Sequence, residues 1–166
     1  MAYSTIPKVR RDGIITLKDG TTPTAVTLEV SYEEGNFTFD VAKEDQTVIR
    51  DRGSITTVRK GDEQPITGSF NAYMRQFTDN SEAGSILDFI NKTGNYSSNV
   101  STGSGNPFVE HYCIDIEYKV EATSLESLDH SATLSKCVCT VSFAEGDPSS
   151  FSISFTCYDG VTYAEL

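Results

Sequence analysis

The chain has 166 residues, 37% of them hydrophobic and 22% charged, which is the composition of a folded globular protein and excludes a disordered segment. This length is sufficient for a single domain with its own hydrophobic core. The net charge of −11 is unevenly distributed, because residues 76–166 carry three Lys/Arg against thirteen Asp/Glu. The second half therefore lacks the clustered cations that tight binding to nucleic acid phosphates requires.

Two runs near the N-terminus alternate apolar and polar residues with the period of a β-strand. Their apolar positions are Val26, Leu28, Val30 and Tyr32 in the first run, and Phe37, Phe39 and Val41 in the second. This alternation indicates strands with one buried and one solvated face. The sequence EEGN at 33–36 separates the runs and predicts a hairpin turn between them.

Residues 44–64 predict a charged β-hairpin, called here the arm, with strands at 46–51 and 54–60 and a turn near Arg52-Gly53. Its few apolar residues leave a two-stranded ribbon that is marginally stable alone. The arm is therefore either a mobile surface hairpin or a segment that becomes ordered against another subunit, where charges of both signs would set register and orientation. The predicted contact residues between subunits are Arg50, Asp51, Arg52, Arg59, Lys60, Asp62 and Glu63.

Two further runs present a regular polar face. From 66 to 76 that face consists of Thr67, Ser69, Asn71, Tyr73 and Arg75, and from 112 to 122 it consists of Cys113, Asp115, Glu117, Lys119 and Glu121. Strands are also predicted at 132–145, apolar on both faces, and at 151–157, with EGDP at 145–148 as the turn between them.

Residues 81–92 have apolar side chains at helical spacing and predict one amphipathic helix. Asn80 or Ser81 is its predicted cap and Gly94 its stop. The polar stretch 95–107 is long for a loop in a compact domain, which makes it functional or mobile. Together these elements predict a mainly β fold, an antiparallel β-sandwich or barrel with one flanking helix.

Residue types that support catalysis or metal binding occur without the partners that such sites need. His111 shares a predicted strand face with Cys113, and His130 is predicted in a turn. Cys137 and Cys139 share the apolar side of one strand, and their spacing favours core packing over a redox or metal pair. There is no glycine-rich phosphate loop and no nucleophile elbow. We therefore expect no enzyme activity, no cofactor and no metal site.

Three features together resemble the tail tube protein (major tail protein) of long-tailed bacteriophages. They are VRRDGIITLKDG at 9–20, VIRDRGSITTVRKGDEQPITGSF at 48–70, and the later helix. The resemblance covers the N-terminal half in motif terms and the second half only in the expected strand order. The tube protein of type VI secretion systems, a tail-tip protein or a neck protein of the same fold is the alternative within this class.

The resemblance implies one tail-tube-like domain over 1–166, with an N-terminal arm at 1–12 and the hairpin arm at 44–64. It also implies hexameric rings that stack into a hollow tube in the virion tail after assembly in the host cytoplasm. Other tail proteins (tape measure, terminator and tip) are then partners, DNA passes through the tube without adhering, and no membrane is involved. An acidic wall would favour such passage by repelling phosphates. The candidates for lining the lumen are Thr67, Ser69, Asn71 and Tyr73, or Asp115, Glu117, Lys119 and Glu121.

A monomeric β-sandwich that binds a ligand such as a carbohydrate is an alternative from another class. Tyr96 and Phe108 flank the long loop and would supply its aromatic platform. The absence of tryptophan argues against it, because ligand platforms favour large aromatic side chains.

Overall fold

The computed structural model of the chain describes residues 13–30, 36–41, 44–79, 84–103, 110–121 and 129–165. The predicted N-terminal arm at 1–12 lies outside these residues. The strands are β1 (Gly13–Lys18), β2 (Thr27–Val30), β3 (Thr38–Phe39), β4 (Gln46–Asp51), β5 (Ser54–Lys60), β6 (Ile66–Tyr73), β7 (Ile114–Val120), β8 (His130–Ala144), β9 (Ser150–Cys157) and β10 (Val161–Glu165). The helix α1 (Ile86–Asn91) and a 3₁₀ turn (Gly94–Tyr96) lie between β6 and β7.

Eight strands form one antiparallel sheet in the order β2-β1-β7-β8-β9-β6-β3, with β10 paired to β8. The arm, β4 and β5, is a separate two-stranded sheet. The predicted mainly β fold with one helix and a long hairpin is thereby confirmed. In the described part of the chain, no helix has the length and apolar character needed to cross a membrane.

The predicted hairpin between the first two runs is wrong. The β2 strand pairs with β1, whereas β3 pairs with β6 at the other end of the sheet order. The aromatic side chain of Phe37 explains the difference, since it stacks on Tyr118 of β7 at 5.0 Å and lies 6.0 Å from the ring of Phe155 in β9. The segment with Phe37 and β3 therefore lies at the opposite end of the strand order from β2, and its aromatic contacts bring it back to β7. Residues 33–35 of the predicted turn lie outside the described residues.

The long strand β8 belongs to both halves of the folded sheet. Its first part pairs with β7 and β10, and its last part pairs with β9. A bulge separates the parts, because Ile114 of β7 is opposite Cys137 whereas Ile116 is opposite Leu134. Lys136 lies in the bulge with a φ of 55°, and its N–H donates to Asp115 Oδ1 at 2.9 Å. The bulge shifts the inward positions of β8 from even to odd numbers.

The core consists of the inward faces of both halves. Buried side chains of β1 and β7 form one continuous cluster with those of β6 and β9 and with α1. The fully buried large members are Phe70, Phe89, Phe151, Ile15, Leu17, Ile114, Ile116, Leu134 and Ile153. In the strand predicted at 151–157, the alternating apolar residues Phe151, Ile153, Phe155 and Cys157 are all buried. Two facing layers around one core make this fold a β-sandwich.

The helix is shorter than the predicted 81–92. It begins after Ser85, which is extended, and ends at Lys92, which has a left-handed φ of 57°. The predicted caps at 80 and 81 lie outside the described residues. The helix packs against β2 and β8 and buries Phe89 and Ile90. Gly94, predicted as the stop, has a φ of 55° and begins the 3₁₀ turn.

Two buried aspartates hold the loops around this helix. The carboxylate of Asp88 accepts hydrogen bonds from Thr93, from the Asp79 N–H at 2.7 Å and from Thr78 Oγ1 at 2.9 Å. These bonds, led by that from Thr93, hold the pKa of Asp88 below its ordinary value. Asp19 similarly accepts from the Val26 and Val100 N–H groups, which joins the β1–β2 loop to the segment after α1.

Candidate assembly surfaces

The arm has the strand bounds predicted from the sequence. Its turn residues Arg52 and Gly53 have φ values of 46° and 88°, which is the combination that a type I′ hairpin turn requires. Glycine adopts this conformation without cost, whereas arginine rarely does. A bulge between Ile49 and Arg50 places Arg50 opposite Ile55.

Every residue of both arm strands is exposed. One face carries Val48, Ile55 and Val58, with Val48 directly opposite Val58 and Ile55 opposite Arg50. The exposed fractions of these three apolar side chains are 42%, 58% and 52%. Within the described residues, the side chains of Arg50, Asp51, Arg52 and Arg59 have no ion-pairing or hydrogen-bonding partner. In the part of the chain that the structure describes, the apolar side chains of the outer arm are therefore uncovered and its charged side chains are unpaired.

Of the predicted contact residues, Lys60 is already engaged within the chain. Its Nζ lies 2.8 Å from Glu44 Oε2, and its hydrogen bond to Glu44 raises the pKa of the ammonium. The backbone groups of Asp45 bond to Gly61 and Asp62 next to it, and Gln64 Nε2 donates to Asp45 Oδ2 at 2.9 Å. The base of the arm is thus fixed. A cleft of about 870 Å³ separates it from the β9–β10 turn.

A broad uncharged face covers three adjacent strands. The predicted lumen candidates of β6 share it with residues of β9 and β8, because directly opposite residues point to the same side of a sheet. The register joins Thr67 to Thr156 and Val138, Ser69 to Ser154 and Thr140, Asn71 to Ser152 and Ser142, and Tyr73 to Ser150 and Ala144. The three strands carry no charged side chain on this face along these rows, and most of its members are exposed. We call it the hydroxyl face.

The second set of lumen candidates is in a different environment. Glu117 and Lys119 are half-buried and form ion pairs with Lys18 at 2.8 Å and with Asp129 at 2.6 Å. Asp115 Oδ1 accepts a hydrogen bond from the Lys136 N–H in the bulge of β8. Glu121 follows the strand and is exposed. The structure therefore separates the two candidate faces into one open and uncharged and one charged, ion-paired and partly covered.

The sheet that bears the hydroxyl face has open edges. Pairing between β7 and β8 ends at Cys137, so in the described part of the chain no strand pairs with the outer edge of β8 from Val138 to Ala144. On the opposite side, the segment 36–40 lies along β6: Thr38 and Phe39 pair with it, the Asp40 N–H donates to the Thr67 carbonyl at 2.8 Å, and Asn36 Oδ1 accepts from the Asn71 N–H at 2.9 Å. In the described part of the chain no strand pairs with the outer edge of β3, which is the second open edge. Unpaired edges of this kind present backbone N–H and C=O groups to another strand.

Sequence reasoning missed an exposed aromatic patch. Phe77 and Phe143 contact each other edge-on at 5.0 Å, and both contact Phe151 beneath them. Phe77 is 49% and Phe143 is 47% exposed. Phe143 could have been identified as an apolar residue at the end of a strand, but its proximity to Phe77 depends on the β6–β9–β8 register.

The structure places the two histidines and Cys113 differently from the sequence prediction. His111 precedes β7 in an exposed bend, and Cys113 is buried rather than solvated, with its N–H donating to Ser101 Oγ at 2.9 Å. His130 is the first residue of β8 rather than part of a turn. Among the described residues, no three His, Cys, Asp or Glu side chains converge as metal ligands. Cys137 is buried opposite Cys157, and its hydrogen bond with Cys157 together with burial raises the pKa of the Cys137 thiol, which therefore stays protonated.

Solved structures of contractile injection systems contain chains with the same fold. One, in the sheath/tube terminator of the extracellular contractile injection system PVC in its extended state, is 14% identical, with a TM-score of 0.59 and coverage of 99% of both chains. A second, in the tube terminating cap of the anti-feeding prophage AFP, is 12% identical, with a TM-score of 0.61 and coverage of 100% of this chain and 96% of that chain. A third, in the AFP baseplate, is 7% identical, with a TM-score of 0.58 over 100% and 97%.

No protein-family model matches the chain, and no curated protein matches it. The structural matches extend over almost the whole of each chain, so the likeness includes both halves of the sandwich rather than a shared sheet alone. At 7–14% identity they establish a common architecture. The chain therefore has the fold of chains found in these contractile injection systems.

Proposed function

We propose that this chain is a structural subunit of a phage tail tube, which assembles into stacked rings around a hollow conduit. The observation that supports this most directly is the open-edged sheet formed by β6, β9 and the last part of β8. Copies placed side by side would join the outer edge of β8 to the β3 edge of the next copy. Such closure satisfies both edges and produces a continuous barrel.

The hydroxyl face is the better of the two lumen candidates. It is the exposed face of the open-edged sheet, whereas the Asp115–Glu121 face is partly covered by its own ion pairs. A wall of Ser, Thr and Asn side chains offers no cation to a DNA phosphate, so DNA passes without adhering. On this assignment the wall next to the DNA is uncharged, and the net charge of −11 is located on other surfaces.

The arm supplies a second contact between copies. Its apolar face would gain about 1 kcal/mol for each half-exposed Val or Ile that a neighbour covers. Its unpaired arginines would set register and orientation. Six copies per ring is the proposed number, and a six-fold symmetrised baseplate is among the assemblies that contain a chain of this fold. The subunit has no catalytic role, and its location is the tail of a virion or phage-like particle.

The test compares assembly of the wild type with that of the triple variant Arg50→Glu, Arg52→Glu, Arg59→Glu. We expect the variant to retain the circular dichroism spectrum and unfolding midpoint of the monomer and to form no tubes by negative-stain microscopy. The triple Arg→Lys variant is the matched control, which keeps the charge and should assemble. Normal tubes from the triple Glu variant would show that the arm is not an assembly element.

A tube terminator or cap is the second candidate, since structural matches come from a terminator and from a terminating cap. A terminator forms single rings and binds the end of an existing tube, whereas a tube subunit polymerises. Microscopy of the purified chain at rising concentration separates the two, through isolated rings or long tubes. Of the two platform residues of the ligand-binding alternative, Tyr96 is half-buried against Phe89, with 4.9 Å between the ring centroids, and Phe108 lies outside the described residues.

A further inference from the structure

The arm and the aromatic patch adjoin opposite ends of the eight-stranded sheet. The arm enters β6 at Ile66, which is paired with Cys157, whereas the patch follows the other end of β6, where Tyr73 is paired with Ser150. At about 3.3 Å per residue, the eight residues of β6 separate the two ends by about 25 Å. We therefore expect any contact between an arm and a patch to join two different copies of the chain.

The two surfaces have complementary chemistry. The patch exposes Phe77 and Phe143 and continues into the β8–β9 turn, where Glu145 and Asp147 are exposed. Neither carboxylate has an ion-pairing or hydrogen-bonding partner within the described residues. Arg75, close in sequence to Phe77, already takes part in an interaction. The patch is thus apolar with a free acidic rim.

The arm presents the matching pattern. Its apolar face of Val48, Ile55 and Val58 is adjacent to Arg50, and Arg52 lies at the tip. From 46 to 60 the arm holds four Lys/Arg and one Asp, in a chain whose second half is strongly acidic. An apolar surface with free arginines fits an apolar surface with free carboxylates, and burial of both removes the largest exposed apolar groups of each.

We propose that the arm of one copy docks on the aromatic patch of a second copy, with Val48, Ile55 and Val58 covering Phe77 and Phe143, and with Arg50 and Arg52 facing Glu145 and Asp147. This inference rests on the proposed function and specifies which surface receives the arm. Because donor and receptor are different surfaces at opposite ends of the sheet, the contact is head-to-tail and repeats from copy to copy. It therefore links successive subunits along an assembly rather than closing a symmetric dimer.

A charge exchange tests the polar half of this contact in the full-length chain. The double variant Glu145→Lys, Asp147→Lys places like charges opposite the arm, and its critical concentration for assembly should rise about tenfold or more. Adding Arg50→Glu and Arg52→Glu should restore assembly towards the wild-type concentration. The control Glu29→Lys, Glu110→Lys makes the same change in net charge at two other exposed acids and should have little effect.

A photoreactive benzoylphenylalanine at position 143 tests the apolar half. Irradiated assemblies of isotopically mixed copies should yield cross-links between position 143 of one copy and residues 46–58 of another. Cross-links to other segments, or a charge exchange that fails to restore assembly, would overturn this docking while tubes of the wild type leave the proposed function intact. A wild type that stays monomeric at every concentration and is absent from assembled tail particles would instead contradict the proposed function, and the docking with it.

Discussion

The arm and the strand that follows it, β6, are built from similar residues, but they differ in how far their side chains are buried. Both contain short runs of Ile, Val or Phe among Thr, Ser and charged or amide residues. Every second residue of β6 from Ile66 to Ala72 except Gly68 is buried, whereas no residue of the arm strands is. The difference arises because β6 pairs with β9 and its inward residues pack in the core cluster, while β4 and β5, among the described strands, pair only with each other. We therefore propose that the contacts that stabilise the arm are made with other copies of the chain.

Truncation of the core should show the largest contrast between the two regions. Phe70 of β6 is fully buried and packs against Phe37 and Phe155. Phe70→Ala should cost about 3–5 kcal/mol of unfolding free energy, measured by urea denaturation. The adjacent exposed Ser69→Ala is the control and should change it by less than about 0.5 kcal/mol. A loss below about 1 kcal/mol for Phe70→Ala would contradict the assigned core.

Gly68 tests how closely the sheet packs around β6. A Cβ at this position would overlap the Thr38 carbonyl oxygen and the ring of Phe155. Gly68→Ala should therefore destabilise the monomer by about 1–3 kcal/mol, because neither the backbone of β3 nor the core can move freely. In the arm, Gly53 has open space around its Cβ position, and Gly53→Asn, which tolerates the left-handed turn, should cost less than about 1 kcal/mol. Equal losses of stability from Gly68→Ala and Gly53→Asn, measured by thermal unfolding, would contradict this difference in packing.

The buried carboxylate of Asp88 should make the stability of the sandwich depend on acid pH. Since its pKa in the folded state is below the ordinary value of 3.8, its contribution is present at pH above that value. It is lost as the pH falls through the lower, folded value. Asp88→Asn should remove this part of the pH dependence in denaturation curves from pH 5 to pH 2. An unchanged profile in Asp88→Asn would show that the carboxylate is not stabilised by Thr93, Thr78 and the Asp79 N–H.

Truncation of the arm should show the smallest effect on the monomer. Ile55→Ala with Val58→Ala should change the unfolding free energy by less than about 0.5 kcal/mol, because both side chains are more than half exposed. The same pair should raise the critical concentration for assembly measured by sedimentation. A loss of several kcal/mol from the monomer would mean that the arm is packed against its own chain.

Local signals in the sequence were sufficient for the arm and for the alternating strands. The Arg52-Gly53 turn and the inward residues of β9 follow from turn chemistry and a period of two, which need no knowledge of distant neighbours. The alternation of residues also predicted the uncharged polar side of β6. The extension of this face across β9 and β8 depends on the strand register and could not be predicted.

The errors came from contacts distant in sequence. The stacking of Phe37 on Tyr118 separates β3 from β2, and nothing in the turn-like segment EEGN indicates it. The bulge at Lys136 reverses the inward side within β8, so the run 132–145 appeared apolar on both faces. The helix start moved to Ile86 because Ser85 is extended and its hydroxyl donates to the Phe77 carbonyl. Each is a tertiary preference that overrides a local one.

The most direct test of the account is electron microscopy of the purified full-length chain over rising concentration, combined with sedimentation velocity. We expect rings with a hollow centre that stack into tubes, with β8 of each copy beside β3 of the next. A folded chain that remains monomeric at every concentration, and is absent from assembled tail particles, would contradict it.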